Sequence, residues 1–447
     1  MKKKILKCVP AALAVAVCVG FASCGDDDPV VNPNNQNGGS VVTTVENDKA
    51  FLEETGKEFV GLFNANQAKN YSSIYRALEN SRMGTVDNEL GDIVDGLTRT
   101  LSDGSSLKVY EVALYAAAFN GSYELNSSNN TWQKISYNGH RIKFIDNDGR
   151  ECVLTATTSG STKRVYLFDD ESWHYTWDWN TYSGEEYQER KQYYFDLPER
   201  VECVLTQGGT QLVKAVVDID LSKVTENQKF SPARNTVNMS YTLNLKDVAD
   251  ITAYTNYVAQ GTSTAGFTIK KGGRTILKSS ASVNSTLTSS SVDDLSRNDK
   301  NNIGKAIIDI DILGKIQLKG ESSSASTLIN ALDSKADKYD YQSVKDNADK
   351  ANGAMSVKMY YNGQSAERGF LNFAVDSKEV TEPDWENYDY ETGIPQLVTR
   401  TKYEMTSAIN FSDGTSYFVE KYFTEDAFKS VVNQFNAIYD DVERQFK

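Results

Sequence analysis

Residues 202–214 read Glu-Cys-Val-Leu-Thr-Gln-Gly-Gly-Thr-Gln-Leu-Val-Lys, and this stretch contains the pattern from which we predict the fold. Short apolar runs with period-two character lie on both sides of Gly208-Gly209, which is typical of β-strands. Two consecutive glycines accept the positive φ angles that a tight hairpin turn needs. The stretch therefore predicts two antiparallel strands joined by a two-residue turn.

Parts of this stretch recur along the chain. Glu-Cys-Val-Leu-Thr occurs at residues 151–155 as well as 202–206, and the Gly-Gly-x-x-apolar-apolar-Lys pattern of residues 208–214 returns at 272–278. Other turn signals separate runs rich in Val, Thr, Tyr and Ile, namely Asn138-Gly139, Asp148-Gly149, Asn362-Gly363 and Asp413-Gly414. We therefore expect a recurring hairpin unit and a β-rich body over residues 107–423.

Helical spacing appears in three other parts of the chain. An N-terminal segment, residues 46–106, predicts one or two helices over 46–80 and a shorter one over 86–101. Residues 326–351 predict a helical insertion in the sheet. A C-terminal amphipathic helix is predicted over residues 424–447, with Thr424 as its N-cap. Its apolar stripe needs a partner surface, the sheet or the N-terminal helices, and consists of Phe428, Val431, Val432, Phe435, Ile438, Tyr439, Val442 and Phe446.

Together these patterns predict an α+β fold. We expect a large, strongly curved antiparallel sheet of hairpins, with the N-terminal, mid-chain and C-terminal helices packed on one face. In outline, a curled sheet around helices resembles the half-barrels of bacterial lipoprotein and lipid carriers. An alternative is two β domains that meet at a polar break near residues 286–305.

The N-terminus has the pattern of a cleaved leader. An apolar run from Val9 to Phe21 follows four lysines, Lys2, Lys3, Lys4 and Lys7. The run is shorter than the roughly 20 residues of a membrane-spanning helix, so residues 1–23 are predicted to be a secretory signal peptide. The sequence Ala22-Ser23-Cys24 resembles the bacterial lipobox, although Phe21 replaces its usual Leu. This resemblance implies that Cys24 is diacylated and becomes the new N-terminus, so that acyl chains bind the protein to a membrane.

The residues after the lipobox indicate a location in the cell envelope. Asp26-Asp27-Asp28 resembles the acidic export signal of Bacteroidetes surface lipoproteins. The resemblance implies display on the outer face of the outer membrane, and the alternative is a lipoprotein that faces the periplasm. Residues 24–45 form the lipidated N-terminus and a flexible tether, whose last 17 residues have a reach of about 20–25 Å. The rest of the chain resembles no family with a known activity.

Composition excludes several classes of function. Without residues 1–23 the chain has 43 basic and 61 acidic residues. This net negative charge argues against nucleic acid as a partner. The two histidines, His140 and His174, lie in no triad or metal-binding motif, and no glycine-rich loop precedes a helix. We expect no cofactor, no metal site and no catalytic residue. Cys152 and Cys203 are interpreted as a disulfide or as buried free thiols, and the sequence predicts no oligomeric state.

Two aromatic segments are candidate binding surfaces. Trp173, Tyr175, Trp177 and Trp179 alternate with polar residues, so a strand would place four rings on one face. Tyr182, Tyr187, Tyr193 and Tyr194 are expected to extend this face. An alternative interpretation is that the same face packs on the core. The second segment, residues 382–391, is acidic and contains Trp385, and we predict that it is a loop with an exposed ring.

These features lead to three functional hypotheses. The first is a non-catalytic surface lipoprotein that binds an extracellular ligand, with a glycan on the aromatic face as its sharpest form. The second is a carrier that holds a lipid or a lipoprotein acyl chain in an apolar cavity of the curved sheet. The third is a hydrolase that uses paired carboxylates, for which alternating aspartates are the candidates, Asp218 with Asp220 and Asp309 with Asp311.

Overall fold

The structure is a computed structural model that describes residues 45–81, 121–178, 181, 183–228, 238–256, 258, 260–286, 302–334, 336–389, 394–424 and 426–446. Several predicted features lie outside these residues. They are the signal peptide, Cys24, the Asp26-Asp27-Asp28 motif, the tether up to residue 44 and the helix over residues 86–101.

The described part of the chain contains sixteen strands in one sheet. The first eight are β1 Gly121–Asn126, β2 Thr131–Ser136, β3 His140–Ile145, β4 Glu151–Asp178, β5 Ser183–Gln207, β6 Thr210–Ile219, β7 Asn238–Leu245 and β8 Ala249–Asn256. The others are β9 Gln260–Lys271, β10 Arg274–Thr286, β11 Ile303–Ile312, β12 Ile316–Ser322, β13 Met355–Tyr361, β14 Glu367–Asp389, β15 Ile394–Phe411 and β16 Ser416–Phe418.

Strand order in the sheet follows chain order almost throughout. From β16 to β3 each strand pairs antiparallel with its neighbours in sequence, and β1 then lies between β3 and β2. The β1–β3 pair is the parallel one among the described strands. Strands β10 and β11, on either side of the polar break at residues 286–305, pair directly from Leu277–Ile312 to Ser285–Ile303. The predicted α+β fold with one large antiparallel sheet is therefore confirmed.

The hairpin turns lie where the sequence places them. Gly208 and Gly209, between β5 and β6, both have positive φ angles, of 55° and 79°. Gly272 and Gly273 repeat this geometry between β9 and β10, with 56° and 80°. Backbone angles of this kind match the right-handed twist of the flanking strands. The repeated Gly-Gly pattern thus marks two hairpins of the same design.

Six α-helices are found in the described residues. They are α1 Val45–Gly61, α2 Lys69–Glu79, α3 Ala325–Leu332, α4 Tyr341–Ala354, α5 Val419–Thr424 and α6 Asp426–Phe446. All three groups of helices pack on the same face of the sheet, as the alternation along β14 shows. Leu371 belongs to the cluster formed with α1 and α6, and Phe373, two residues further on, belongs to the cluster formed with α3 and α4.

The C-terminal helix links the two large hydrophobic clusters of the molecule. Phe428 and Val431 of α6 are buried in the cluster of α1 and strands β10–β16. Phe446, at the other end of α6, packs on the cluster of α2 and strands β1–β8, where its ring centroid lies 5.4 Å from that of Tyr75. The predicted apolar stripe therefore has both expected partners, the sheet and the N-terminal helices.

Two local predictions differ from the structure. The mid-chain insertion is two helices rather than one, because Asp333 ends α3 and Asp340 caps α4 through a hydrogen bond from the Gln342 amide. The predicted β-rich body, residues 107–423, ends with the strand at Phe418, and α5 begins at Val419. Tyr422 is consequently buried among aromatic rings of the core instead of alternating along a sheet edge.

We predict that Gly56→Val destabilises the protein and Gly61→Val does not. A Cβ atom at Gly56 would lie 3.1 Å from Phe428 Cζ and 3.2 Å from Val431 Cγ1, whereas one at Gly61 would meet nothing within 4 Å. Overpacking at the α1–α6 contact should lower the free energy of unfolding by about 1–3 kcal/mol. Urea denaturation of both variants measures the difference, and equal stabilities would contradict the observed docking of α6.

Candidate functional site

Strands β4 and β5 extend far beyond their neighbours in the sheet. They pair with each other from Cys152–Gln207 to Asp178–Ser183. Strand β3, however, pairs with β4 only over Glu151–Thr155, and β6 pairs with β5 only over Arg200–Gln207. Residues 166–178 and 183–195 thus form a two-stranded hairpin without a further strand beside it among the described residues. We call this hairpin the arm, and its length is about 40 Å at ~3.3 Å per residue.

The base of the arm is fixed to the body. Val165 and Leu197 have no exposed surface and belong to the same cluster as the loop residues Leu221 and Val224. The ammonium group of Lys163 donates a hydrogen bond to the carbonyl of Val224 at 2.8 Å, and the Asn227 amide donates to the carbonyl of Arg164 at 2.8 Å. The arm therefore starts from a rigid support and leaves the body beyond Val165.

Two exposed rings, two residues apart in the sequence, lie side by side on one face of the arm. Tyr175 is 59% exposed and Trp177 is 41% exposed. Their ring planes are inclined by 26° and their centroids lie 6.1 Å apart. Gly184, opposite Trp177 on β5, leaves the space that Tyr175 occupies, because a Cβ atom there would collide with the Tyr175 ring. We call Tyr175, Trp177 and Gly184 the platform.

Two of the four rings predicted for this face are exposed in the structure, Tyr175 and Trp177. The alternative that the face packs on the core is wrong for Tyr175 and Trp177. Trp173 lies on β4 with the parity of these two residues, but its side chain lies outside what the structure describes. Trp179 and Tyr182 lie outside the described residues, as does the side chain of Tyr193.

The opposite face of the arm has its own pair of rings. Tyr187 is 50% exposed and stacks on His174, its partner across the hairpin, with centroids 5.2 Å apart. The prediction that Tyr187 extends the platform is therefore wrong, because its register places it on the other side.

Tyr194 lies near the base of the arm, where the Arg164 guanidinium is 5.3 Å from its ring centroid.

A carboxylate that the sequence analysis did not single out lies beside the platform. Glu186 is directly opposite Tyr175 in the hairpin and is exposed. It makes no ion pair or hydrogen bond with any residue whose side chain is described. Locating it requires the register of β4 on β5. Knowledge that Asp178 pairs with Ser183 would have supplied that register.

Residues 382–389 of the second aromatic segment form a strand rather than the predicted loop. Glu382 pairs with Val398 and Pro383 with Leu397, so β14 continues to Asp389 with an irregularity between Asp384 and Tyr388. The loop prediction is wrong because β15 runs beside the segment and supplies backbone partners. The side chain of Trp385 lies outside what the structure describes.

The candidate catalytic carboxylates have structural partners. Asp218 forms an ion pair with Arg200 at 2.6 Å, and Asp220 accepts a hydrogen bond from the Ser222 amide at 2.9 Å. Asp311 accepts one from the Gly314 amide at 2.7 Å in the β11–β12 turn. Asp309 is exposed on the face of β11 that carries Asp311. Among the described residues no group of three or more His, Cys, Asp or Glu side chains is arranged to hold a metal ion.

The two cysteines of the body are buried free thiols. Cys203 pairs with Ala156 and Cys152 pairs with Gln207, so the thiols stand four residues apart along neighbouring strands. This separation is about 13 Å, well beyond the reach of a disulfide. Burial raises the pKa of both thiols to about 12. Neither thiol is therefore a nucleophile near neutral pH.

A buried carboxylate at the start of α1 is closed to ligands. Asp48 is 3% exposed, and one of its oxygens has no hydrogen-bond partner among the described residues. Burial raises the pKa of this carboxyl group, and the nearby Arg368 guanidinium opposes that effect. The group faces Arg368 of β14 and residues Ser412 and Asp413 between β15 and β16, so it lies between α1 and the sheet.

An apolar groove of about 390 Å³ lies on the helix-covered face of the sheet, next to α3. Small residues of neighbouring strands form its floor, and Leu328 of α3 forms one wall; the floor residues include Ala265, Ala281, Ala306 and Gly320. The volume falls within the roughly 300–1,000 Å³ of small-molecule sites. The groove is the second surface of the molecule with the properties of a binding site.

None of the helices in the described residues is long and apolar enough to cross a membrane. Comparison of the chain with protein-family models, with curated proteins and with solved structures found no match. The function is consequently inferred from the geometry of the arm and the groove.

Proposed function

We propose that this protein is a lipid-anchored, non-catalytic protein of the outer cell envelope that binds an extracellular glycan on the platform of the arm. The observation that carries the proposal is the exposure of Tyr175 and Trp177 on a hairpin that extends beyond the described strands beside it. Large aromatic groups contribute strongly to stability when they are buried, so two rings left in water on a projecting element favour a role in binding.

The chemistry of the platform suits a sugar. Tyr and Trp combine an apolar ring with a polar edge, so their ring faces can pack on the C–H face of a pyranose while hydroxyl groups remain hydrated. The nearly parallel arrangement of Tyr175 and Trp177 offers apolar contact to a flat ligand. Glu186 across the hairpin adds a hydrogen-bond acceptor for hydroxyl groups.

The positions of the N-terminal helices and the arm, at opposite ends of the sheet, support a location of the arm tip far from the anchor. Helices α1 and α2 lie along the hairpin turns at one end of the sheet. The Glu58 carboxylate of α1 forms ion pairs with Arg274 and Lys315, both at 2.5 Å. The Asn147 amide donates a hydrogen bond to the Ser73 carbonyl of α2 at 3.4 Å. Strand β4 begins at these turns and runs for 28 residues to the tip of the arm. An anchor at Cys24, 21 residues before α1, would thus leave the arm tip as the distal end, roughly 85 Å along the strand.

The sequence motifs support the cell surface as the place of action. The Asp26-Asp27-Asp28 triad favours export to the outer face of the outer membrane, where glycans of the surroundings would reach the arm. Orientation toward the periplasm is the alternative address, and it would restrict the ligand to envelope components.

The groove favours a second candidate function, that of a lipid or lipoprotein carrier. Its floor of small residues admits a slender ligand, and the residues around it are mostly apolar, including Ile308, Val357 and Met355. A single acyl chain has the matching shape and chemistry. In this function the lipid would lie between α3 and the sheet, and the arm would have no part in binding.

We predict that Tyr175→Ala combined with Trp177→Ala abolishes binding to a glycan array. Loss of both ring faces should weaken any glycan complex at least about tenfold, equivalent to ~1.4 kcal/mol. Tyr187→Ala is the matched control, because it removes an equally exposed ring from the opposite face of the same hairpin. An array without hits for the unaltered protein, or equal losses in control and double variant, would refute the role of the platform.

We predict that the native protein begins at an acylated Cys24 and that Cys24→Ala releases it from the membrane fraction. Several acyl chains bind a membrane stably, since each buried CH₂ contributes about 0.8 kcal/mol. Intact-mass analysis and cell fractionation measure both effects, and Cys18→Ala, within the leader, is the control. Digestion by protease added to intact cells distinguishes the surface from the periplasm. An unmodified cysteine behind an uncleaved leader would contradict the anchor.

We predict for the carrier function that an acyl lipid co-purifies and that Ala281→Phe removes it. A phenyl ring at this position fills the floor of the groove. Asn284→Phe, on the opposite face of the same strand, should leave the lipid in place because Asn284 does not line the groove. Native mass spectrometry of both variants gives the answer, and an unaltered protein free of lipid would count against this candidate.

A further inference from the structure

We propose that the platform accepts uncharged glycans and rejects anionic ones, with Glu186 as the residue that sets this specificity. The inference rests on the proposed glycan binding and names the class of glycan. It follows from the position of one carboxylate and from the charge of the arm as a whole.

Glu186 is placed to contact whatever lies on Tyr175. The two residues face each other across β4 and β5, where Cβ atoms of paired residues lie about 5 Å apart. Glu186 is exposed, and no cation among the described side chains neutralises it. A carboxylate in this state accepts hydrogen bonds from two or more hydroxyl groups, and bonds to a charged acceptor are the strong ones.

The same carboxylate opposes a negatively charged sugar. A sulfate or uronate group seated on Tyr175 would approach Glu186 within a few ångströms, where like charges repel even in water. Burying Glu186 under an anionic ligand would also remove its hydration without supplying a donor. Uncharged glycans avoid both costs because their hydroxyl groups donate to the carboxylate.

The rest of the arm reinforces this preference. Residues 166–195 contain seven acidic residues and two basic ones, Arg190 and Lys191. Among the acidic residues with described side chains, Asp178 is exposed at the tip, one residue after Trp177. Screening limits such fields to about 8 Å at physiological ionic strength, so the charges that matter are those near the platform. The described cation of the hairpin that contacts a ring, Arg164, is at the base of the arm on Tyr194.

The test compares uncharged glycans with sulfated and uronate-containing glycans on one array, using the full-length protein in detergent and three variants. For Glu186→Gln we expect about tenfold weaker binding of uncharged glycans, because a neutral amide replaces the charged acceptor. Glu186→Lys should bind sulfated glycans at least about fivefold better than the unaltered protein, with a gain that falls as salt rises. Asp196→Lys makes the same charge change about 33 Å along β5 and should alter neither class.

The outcomes separate this inference from the proposed function. Binding of uncharged glycans alone, with the expected responses of the Glu186 variants, supports the inference. Equal binding of both classes, or a gain for Asp196→Lys equal to that for Glu186→Lys, overturns it and leaves glycan binding standing. No glycan bound by the unaltered protein overturns both, and polylysine bound in place of any glycan would do the same by identifying a cationic peptide as the ligand.

Discussion

Antiparallel pairing between strands that follow each other in the chain is the constraint on which this structure depends. From β3 to β16 each strand pairs with the next one in the chain, and where a two-residue turn such as Gly208-Gly209 joins them it leaves no freedom to slip. A slip of one residue would move Val213 and Val217 away from the covered face and open the core. The helices then need one continuous apolar face, which this pairing supplies. Because α6 contacts both large clusters, it joins the two halves of the sheet.

The arm results from the same pairing carried past the limit of the sheet. Strands β4 and β5 continue to pair after β3 and β6 have ended, so the arm extends beyond the described strands on either side of it. Rings that would be core residues in the body are therefore exposed at Tyr175 and Trp177. Unpaired strand edges invite aggregation, and the many charged residues of the arm counteract it. The acidic character of the arm thus protects its edges and also shapes what can bind there.

The sequence predicts much of the fold because its signals are local. Turn dipeptides, apolar alternation and the stripe of α6 each lie within a few residues, and the structure bears them out. The errors have long-range causes. Residues 382–389 are a strand because β15 runs beside them, and residues 419–423 are helical because Tyr422 packs into the core. Alternation at residues 173–179 is the same whether the face is buried or solvated, so exposure depends on whether distant parts of the chain pack on that face. Glu186 could not be found without the register of the arm.

A two-stranded ribbon of this length is marginally stable in water, and that limit bears on the proposed binding of a glycan by the arm. Its order comes from the base, where Val165 and Leu197 are buried, and from the continuous pairing of β4 with β5. Between these fixed points the backbone hydrogen bonds are exposed, so local opening costs little free energy. A ligand that contacts Tyr175 on β4 and Glu186 on β5 holds both strands together. Binding and ordering of the arm are then coupled, and part of the binding free energy is used to order the hairpin.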